Sequence, residues 1–436
     1  MARSSMARFT RKAKIQIRAA SKIPVSSAGG GIVLWKALDR LGLGQILADL
    51  GMMSRGWALA KIVFDLVLQA WLQADSVTEL ADKVNADALL TTLGAPADRT
   101  TLTRILNRRR YRWQELFRRL AYATWKALRL PPSAPVTLVI DDTAIEKSGV
   151  KMEGSSWVYD SSQNRKVWGY TVVTAALVAG GHRIPVDFVI LRPRENKYAV
   201  AQEIIQRVRD AGIRIDALLF DGWYGHSTAF LNQQGSTFWV TRLHSDRRVE
   251  VEGRSVSVED LFGETRRQPK ALRHHPRDPQ VTYRTYRAHL PGYGDITVVV
   301  VHDEKDKETP YRALAANDPR MHGRAVIDWY HQRWHIETIH REAKSQLGLH
   351  SFHVRSLRSI HGHIACTLVA VLVAEMIRWL GKGLGELKEA GVEEIRRRVL
   401  GILGHLRFRG RKQEFIVNKD QERLLEALTQ GLEGIP

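Results

Sequence analysis

The sequence predicts an α/β protein in which a mixed sheet with helices follows an α-helical N-terminal region and is interrupted by a β-rich stretch. Three observations carry this. Apolar residues recur at helical spacing through the first 130 residues. Two short apolar runs, 136–140 and 215–220, lie far apart in the chain and each is followed by an aspartate. Residues 281–290, which largely alternate polar and apolar, and the β-branched run 296–301 lie between Gly and Pro turns and read as strands.

The N-terminal periodicity places helices over 35–50, 57–73, 77–93 and 101–128. Residues 1–130 hold 22 Lys and Arg against 9 Asp and Glu, a balance of +13 within a chain whose net charge is +20. With a pI near 10.1, the expected partner is a polyanion, because Lys and Arg gain by displacing counterions condensed on a phosphate backbone. Arg104, Arg108, Arg109, Arg110 and Arg112 are interleaved with Tyr111 and Trp113, a composition suited to phosphate contacts with some stacking. Arg108, Arg109 and Arg110 are the candidate DNA contacts of this region. The start of the chain carries Arg8, Arg11, Lys12, Lys14 and Arg18 without the apolar stretch of a secretory signal, and reads as a DNA-contacting arm.

Pro131, Pro132 and Pro135 mark a change of character. Beyond them the pattern runs strand (136–140), hairpin (168–177 and 184–191 around Gly180 and Gly181), helix (199–211), strand (215–220), short helix (226–233) and strand (237–243). The β-rich stretch covers 244–320, and helix returns at about 324 and continues with interruptions to 380. The expected segments are therefore 1–130, 131–243, 244–320, 321–380 and 381–436. The last contains a basic element over 396–412 and an amphipathic stretch over 419–432. The apolar run 364–374 is too short to span a bilayer and reads as a buried helix. Cys366 is the only cysteine, which excludes an intrachain disulfide and fits a reducing compartment. Gly29, Gly30 and Gly31 are not followed by Gly-Lys-Ser/Thr, so no nucleoside triphosphate is expected.

The chemistry concentrates in three acids and one helix. Asp141 and Asp221 each end an apolar strand, where the strand fixes the carboxylate and the following loop leaves room for substrate. On a helix near residue 335, Tyr330, Arg333, Glu337 and Lys344 fall within about 60° of one another, while Trp329, Ile336, Ile339, Ala343 and Leu347 share an opposing arc of about 80°. Three carboxylates, Asp141, Asp221 and Glu337, suit two divalent ions. Asp142 competes with Asp141, whereas Glu342 lies about 140° around the helix from Glu337 and leaves the stripe. His331 and His335 have an i, i+4 spacing that can hold zinc, without the Glu of a metalloprotease motif.

Tyr330, Arg333, Glu337 and Lys344 match the Y-x2-R-x3-E-x6-K signature, so the chain resembles the YREK-type DDE transposases of bacterial insertion sequences. Asp141 in Ile140-Asp141-Asp142-Thr143 and Asp221 in Phe220-Asp221-Gly222-Trp223-Tyr224 fall in that family's order, and Thr143 favours Asp141 as the first acid. The resemblance covers about 95–380. It implies an RNase H-like core that uses two Mg²⁺ (or Mn²⁺) ions to cut double-stranded DNA at transposon ends and join the 3′-OH ends to target DNA. It further implies that Asp141, Asp221 and Glu337 are the catalytic metal ligands. Tyr330, Arg333 and Lys344 would hold end-DNA phosphates, with Trp334 against a distorted base. A homodimer on paired ends, a bacterial cytoplasmic location and no membrane partner complete the expectation. No Trp lies between 240 and 328, where some relatives that excise through a hairpin place a base-receiving aromatic. An RNase H-like nuclease or resolvase, and an inactive DNA-binding derivative of a transposase, remain alternatives.

Overall fold

In the computed structural model, residues 25–54, 58–95, 98–380, 387, 390–409 and 412–434 are described. The basic arm read at residues 8–18 lies outside them. The first described element is the short strand β1 (Val25–Ser26), followed by α1 (Gly31–Arg40), α2 (Leu43–Asp49), α3 (Leu59–Leu72), α4 (Val77–Ala86), α5 (Ala88–Leu93), α6 (Arg99–Leu106) and α7 (Trp113–Ala127). Three of the four helices expected here are each broken once, for local reasons. Gly42 takes a left-handed φ of 75° between α1 and α2. The Asp87 side chain accepts from Leu89 N and Leu90 N and so starts α5 afresh. The segment between α6 and α7 is pinned by Tyr111, whose hydroxyl donates to Met53 O at 2.7 Å.

The central unit comprises β2 (Thr137–Glu146), β3 (Ser156–Asp160), β4 (Arg165–Ala179), β5 (His182–Ile190), α8 (Lys197–Asp210), β6 (Ala217–Phe220), α9 (Gly222–Gly225), α10 (Thr228–Asn232) and β7 (Phe238–Leu243). β2 is antiparallel to β4 and parallel to β6, and β6 is parallel to β7. With β5 on the far edge of β4, the order β5-β4-β2-β6-β7 is the RNase H-like mixed sheet. Gly180 and Gly181, both at positive φ (57° and 79°), make the tight turn between β4 and β5.

The β-rich stretch holds β8 (Arg248–Val251), β9 (Arg254–Ser257), α11 (Val258–Arg267), β10 (Arg273–His275), β11 (Asp278–Leu290), β12 (Gly294–Asp303) and β13 (Tyr311–Ala316). It is continuous with the core, because β13 pairs antiparallel with β7 and extends the sheet through β12 and β11. The chain then returns as α12 (Gly323–His331), α13 (Trp334–Ser345) and α14 (Leu357–Leu380). α14 is longer than its apolar run implied. By length and composition it could cross a membrane, yet 89% of its apolar window is buried inside the protein. It packs on α3, α6, α7 and β5, so the N-terminal helices and the sheet share one core. The tail adds α15 (Val392–Ile395), β14 (Gly404–Arg409), β15 (Lys412–Ile416) and α16 (Lys419–Glu433). β14 pairs with β1 and β15, joining residues near both ends of the chain in a three-stranded sheet.

Candidate metal centre

Sheet register builds the centre. The parallel pairing of β2 with β6 sets Ile140 opposite Phe220, so the next residues, Asp141 and Asp221, stand side by side where the two strands finish their pairing. Asp221 is then fixed by the turn it starts, accepting from Trp223 N at 3.1 Å and Tyr224 N at 3.3 Å. The short α9 lies so close to β7 that a Cβ at Gly225 would meet Arg242 O at 2.7 Å, and glycine there permits the approach. Asp141 Oδ1 accepts the Asp142 N–H at 2.9 Å. As a result, oxygens of Asp141, Asp142 and Asp221 all lie within 4.8 Å of one another.

Glu337 lies outside that trio and is joined to it by one guanidinium. Arg333 donates to Asp141 Oδ2 at 2.8 Å and also to Glu337 Oε1. The expected single helix is interrupted here: α12 ends at His331, and Gln332 and Arg333 form a tight turn before α13, with Arg333 N bonded to Tyr330 O and Ile336 N to Arg333 O. Arg333 therefore points among acids, its guanidinium 5.5 Å from the Tyr330 ring centroid. Ile336, Ile339, Ala343 and Leu347 are buried behind it, and Trp329 is partly so. A cation that motif reasoning did not single out completes the centre. Lys197, on the first turn of α8, donates to Asp142 Oδ1 at 2.6 Å and lies 4.9 Å from the Trp223 ring centroid.

The electrostatics follow from crowding and burial. Burial pushes the Asp141 carboxyl up to about 7; Arg333 opposes this, while the charges of Asp221 and Asp142 add to it. Asp221 is also raised, by burial first and then by Asp142, against the pull of Lys197. Burial works against the charge on Arg333, yet Asp141 and Glu337 are among the groups that hold it above the ordinary arginine value. Tyr330 is raised by burial. Lys344 is half-buried, and burial lowers its pKa against the opposing charge of Asp160.

Two exposed tryptophans flank these acids: Trp223, 51% exposed, two residues after Asp221, and Trp334, 60% exposed, three residues before Glu337. Trp239 is fully buried, with its indole N–H on Tyr293 OH at 3.0 Å. In the basic N-terminal segment, Arg109 and Arg110 are exposed, whereas Arg108 is tied to Met53 O at 2.8 Å. The stacking expected from Tyr111 and Trp113 is corrected: both are buried and pack edge to face at 5.8 Å, because the turn they occupy folds into the helical core. His331 stacks on His275 with centroids 6.3 Å apart, while His335 lies near the charges of Arg183 and Glu375.

The profile of a family described as DDE superfamily endonuclease matches residues 54–290, more than half of the chain and a span that includes Asp141 and Asp221. Among solved structures, the chain is similar to a piggyBac transposase in a synaptic complex with hairpin DNA, at 12% identity and a TM-score of 0.42, over 85% of this chain and 79% of that one. It is also similar to the Drosophila P element transposase in a strand transfer complex, at 14% identity and a TM-score of 0.23, over 50% of this chain and 51% of that one. No curated protein matches.

Proposed function

The chain belongs to the DDE superfamily of endonucleases, and from that premise we propose that it is a DNA transposase of the YREK type. In this reading it binds the ends of an insertion sequence, cuts them and joins the freed 3′-OH ends to target DNA. The observation that carries the reading is the register-built trio of Asp141, Asp142 and Asp221 within 4.8 Å. Three crowded carboxylates of raised or partnered charge are costly unless a cation sits among them, and an all-oxygen donor set suits Mg²⁺ or Mn²⁺.

Asp141 and Asp221, with Glu337 or Asp142, would hold divalent metal. When bound, the metal supplies the Lewis acidity that activates the attacking oxygen and stabilises the leaving oxygen of a phosphodiester. The chain's own groups do the rest. Arg333 sits between Asp141 and Glu337 and presents a planar fork suited to a phosphate beside those acids. Tyr330 lies against that guanidinium and limits its swing. Lys344 and the exposed Arg109 and Arg110 offer further phosphate contacts, and Trp334 stands free to stack on a distorted base. The net charge of +20 favours approach to any DNA.

The test uses the full chain, Mg²⁺ and a DNA carrying the sequences that flank the reading frame on both sides. Strand cuts leaving 3′-OH ends, followed by joined products, are expected. Asp141→Asn should lower cleavage on the order of 10³-fold while leaving DNA binding in place. Cutting that survives Asp141→Asn and Asp221→Asn would overturn the reading. Cuts without joined products would favour a plain nuclease.

A further inference from the structure

Lys197 is the cation of the centre that the motif does not contain, and its position gives it two demands to satisfy. It extends from the start of α8, just after the Asn196 cap, to donate to Asp142 at 2.6 Å, with both side chains less than a fifth exposed. Its ammonium also lies 4.9 Å from the Trp223 ring centroid and 5.7 Å from that of Tyr224. One flexible side chain thus ties β2, α8 and the turn after Asp221 together. Asp142 is one of the three acids whose oxygens come within 4.8 Å, so the site of greatest negative charge already contains a protein cation. A divalent ion using Asp142, or lying against it, meets Lys197 as a like charge at close range. A DNA phosphate arriving beside the acids offers that ammonium an alternative anion, because a lysine on a four-carbon stem can swing.

Resting on the transposase reading above, we propose that Lys197 is an internal competitor for metal at Asp142 that DNA phosphate draws away, so that divalent metal binds tightly only when DNA is present. Arg333 cannot serve this purpose as readily, since it is held by two acids at once in a tight turn. Among the described residues Lys197 has one carboxylate partner in salt-bridge contact, and letting it go leaves Asp142 for the metal. The coupling is reciprocal: whatever factor DNA adds to metal affinity, metal adds to DNA affinity. Such an arrangement keeps the nuclease unloaded away from its substrate.

The test measures Mn²⁺ binding by electron paramagnetic resonance on the full chain, with and without a 30-base-pair duplex of random sequence. In the native protein the duplex should tighten Mn²⁺ binding by about tenfold. In Lys197→Met, which keeps the stem and removes the charge, DNA-free binding should already be about tenfold tighter and the duplex should add no more than about twofold. Lys197→Arg, which keeps the charge, should retain the native pattern and guards against a merely structural effect. Three results overturn the proposal: Mn²⁺ binding in Lys197→Met no tighter than native, a native protein whose Mn²⁺ affinity ignores bound DNA, or Lys197→Arg behaving like Lys197→Met. A native protein that binds no DNA at all would instead sink the transposase reading, while the DNA-free comparison would still decide whether Lys197 competes with metal.

Discussion

Helix α13 carries a charge cluster on each of two faces, and the two are built differently. On one face Glu337 shares Arg333 with Asp141, next to Asp142, Asp221 and Lys197. On another, Glu342 bonds Arg183 at 2.9 Å, and Glu375 of α14 bonds Arg183 at 2.9 Å and Arg378 as well. The second cluster is electrically closed: two glutamates face two arginines, and all four side chains are mostly buried. The first has four acids around two bases, and burial and mutual repulsion raise Asp141 and Asp221. A balanced buried network fixes packing, whereas one left short of positive charge is poised to take a cation. The difference sets a closed network apart from a candidate site without any appeal to motif.

Opposite responses to mutation would sharpen that contrast. Glu375→Gln leaves Arg183 and Arg378 short of a buried counter-charge and should cost about 3–5 kcal/mol in denaturant unfolding; a loss under about 1 kcal/mol would mean the network is not structural. Asp221→Asn keeps an acceptor for the Trp223 and Tyr224 amides while removing one of the crowded charges. It should raise the stability of the metal-free protein, on the order of 1 kcal/mol, at neutral pH. A drop there would erase the distinction between the two clusters. A third buried acid supplies the isolated case. Asp65 on α3 accepts from Ala95 N at 2.9 Å, and burial lifts its carboxyl to about 8. Since the folded value lies above the unfolded one near 4, the stabilisation is full below about pH 4 and is lost as pH rises through 8. The slope is about 1.4 kcal/mol per pH unit within that window. Asp65→Asn should flatten that part of the stability curve, measured by denaturant melts from pH 5 to 9.

Much of the architecture was legible because it is written in local pattern. The apolar runs before Asp141 and Asp221 read as strands, and Gly180 with Gly181 read as a hairpin turn that the positive φ values explain. What could not be read is non-local. Nothing near Val25 announces that it pairs with His405, and β3 escaped notice because Trp157 and Tyr159 face solvent, leaving a strand with no apolar face to signal it. Tyr111 and Trp113 looked like stacking surface in a basic run and are core, since composition does not say which way a side chain turns. At the candidate site, the apolar runs leading to the two acids were visible in the sequence, but only Asp221 follows the end of its strand. β2 runs on to Glu146 through its pairing with β4, so Asp141 sits within the strand, where only its pairing with β6 stops. The guanidinium of Arg333 between two acids was not visible, and neither was Lys197 on Asp142, because salt bridges between elements 55 or 192 residues apart leave no local trace.

The most direct measurement is Mn²⁺ titration of the full chain, saturated with duplex DNA, followed by electron paramagnetic resonance in the native protein, Asp141→Asn and Asp221→Asn. The account predicts saturable binding in the native protein and its loss in both variants while each remains folded. Unchanged Mn²⁺ binding in the two variants would mean that these two carboxylates hold no metal.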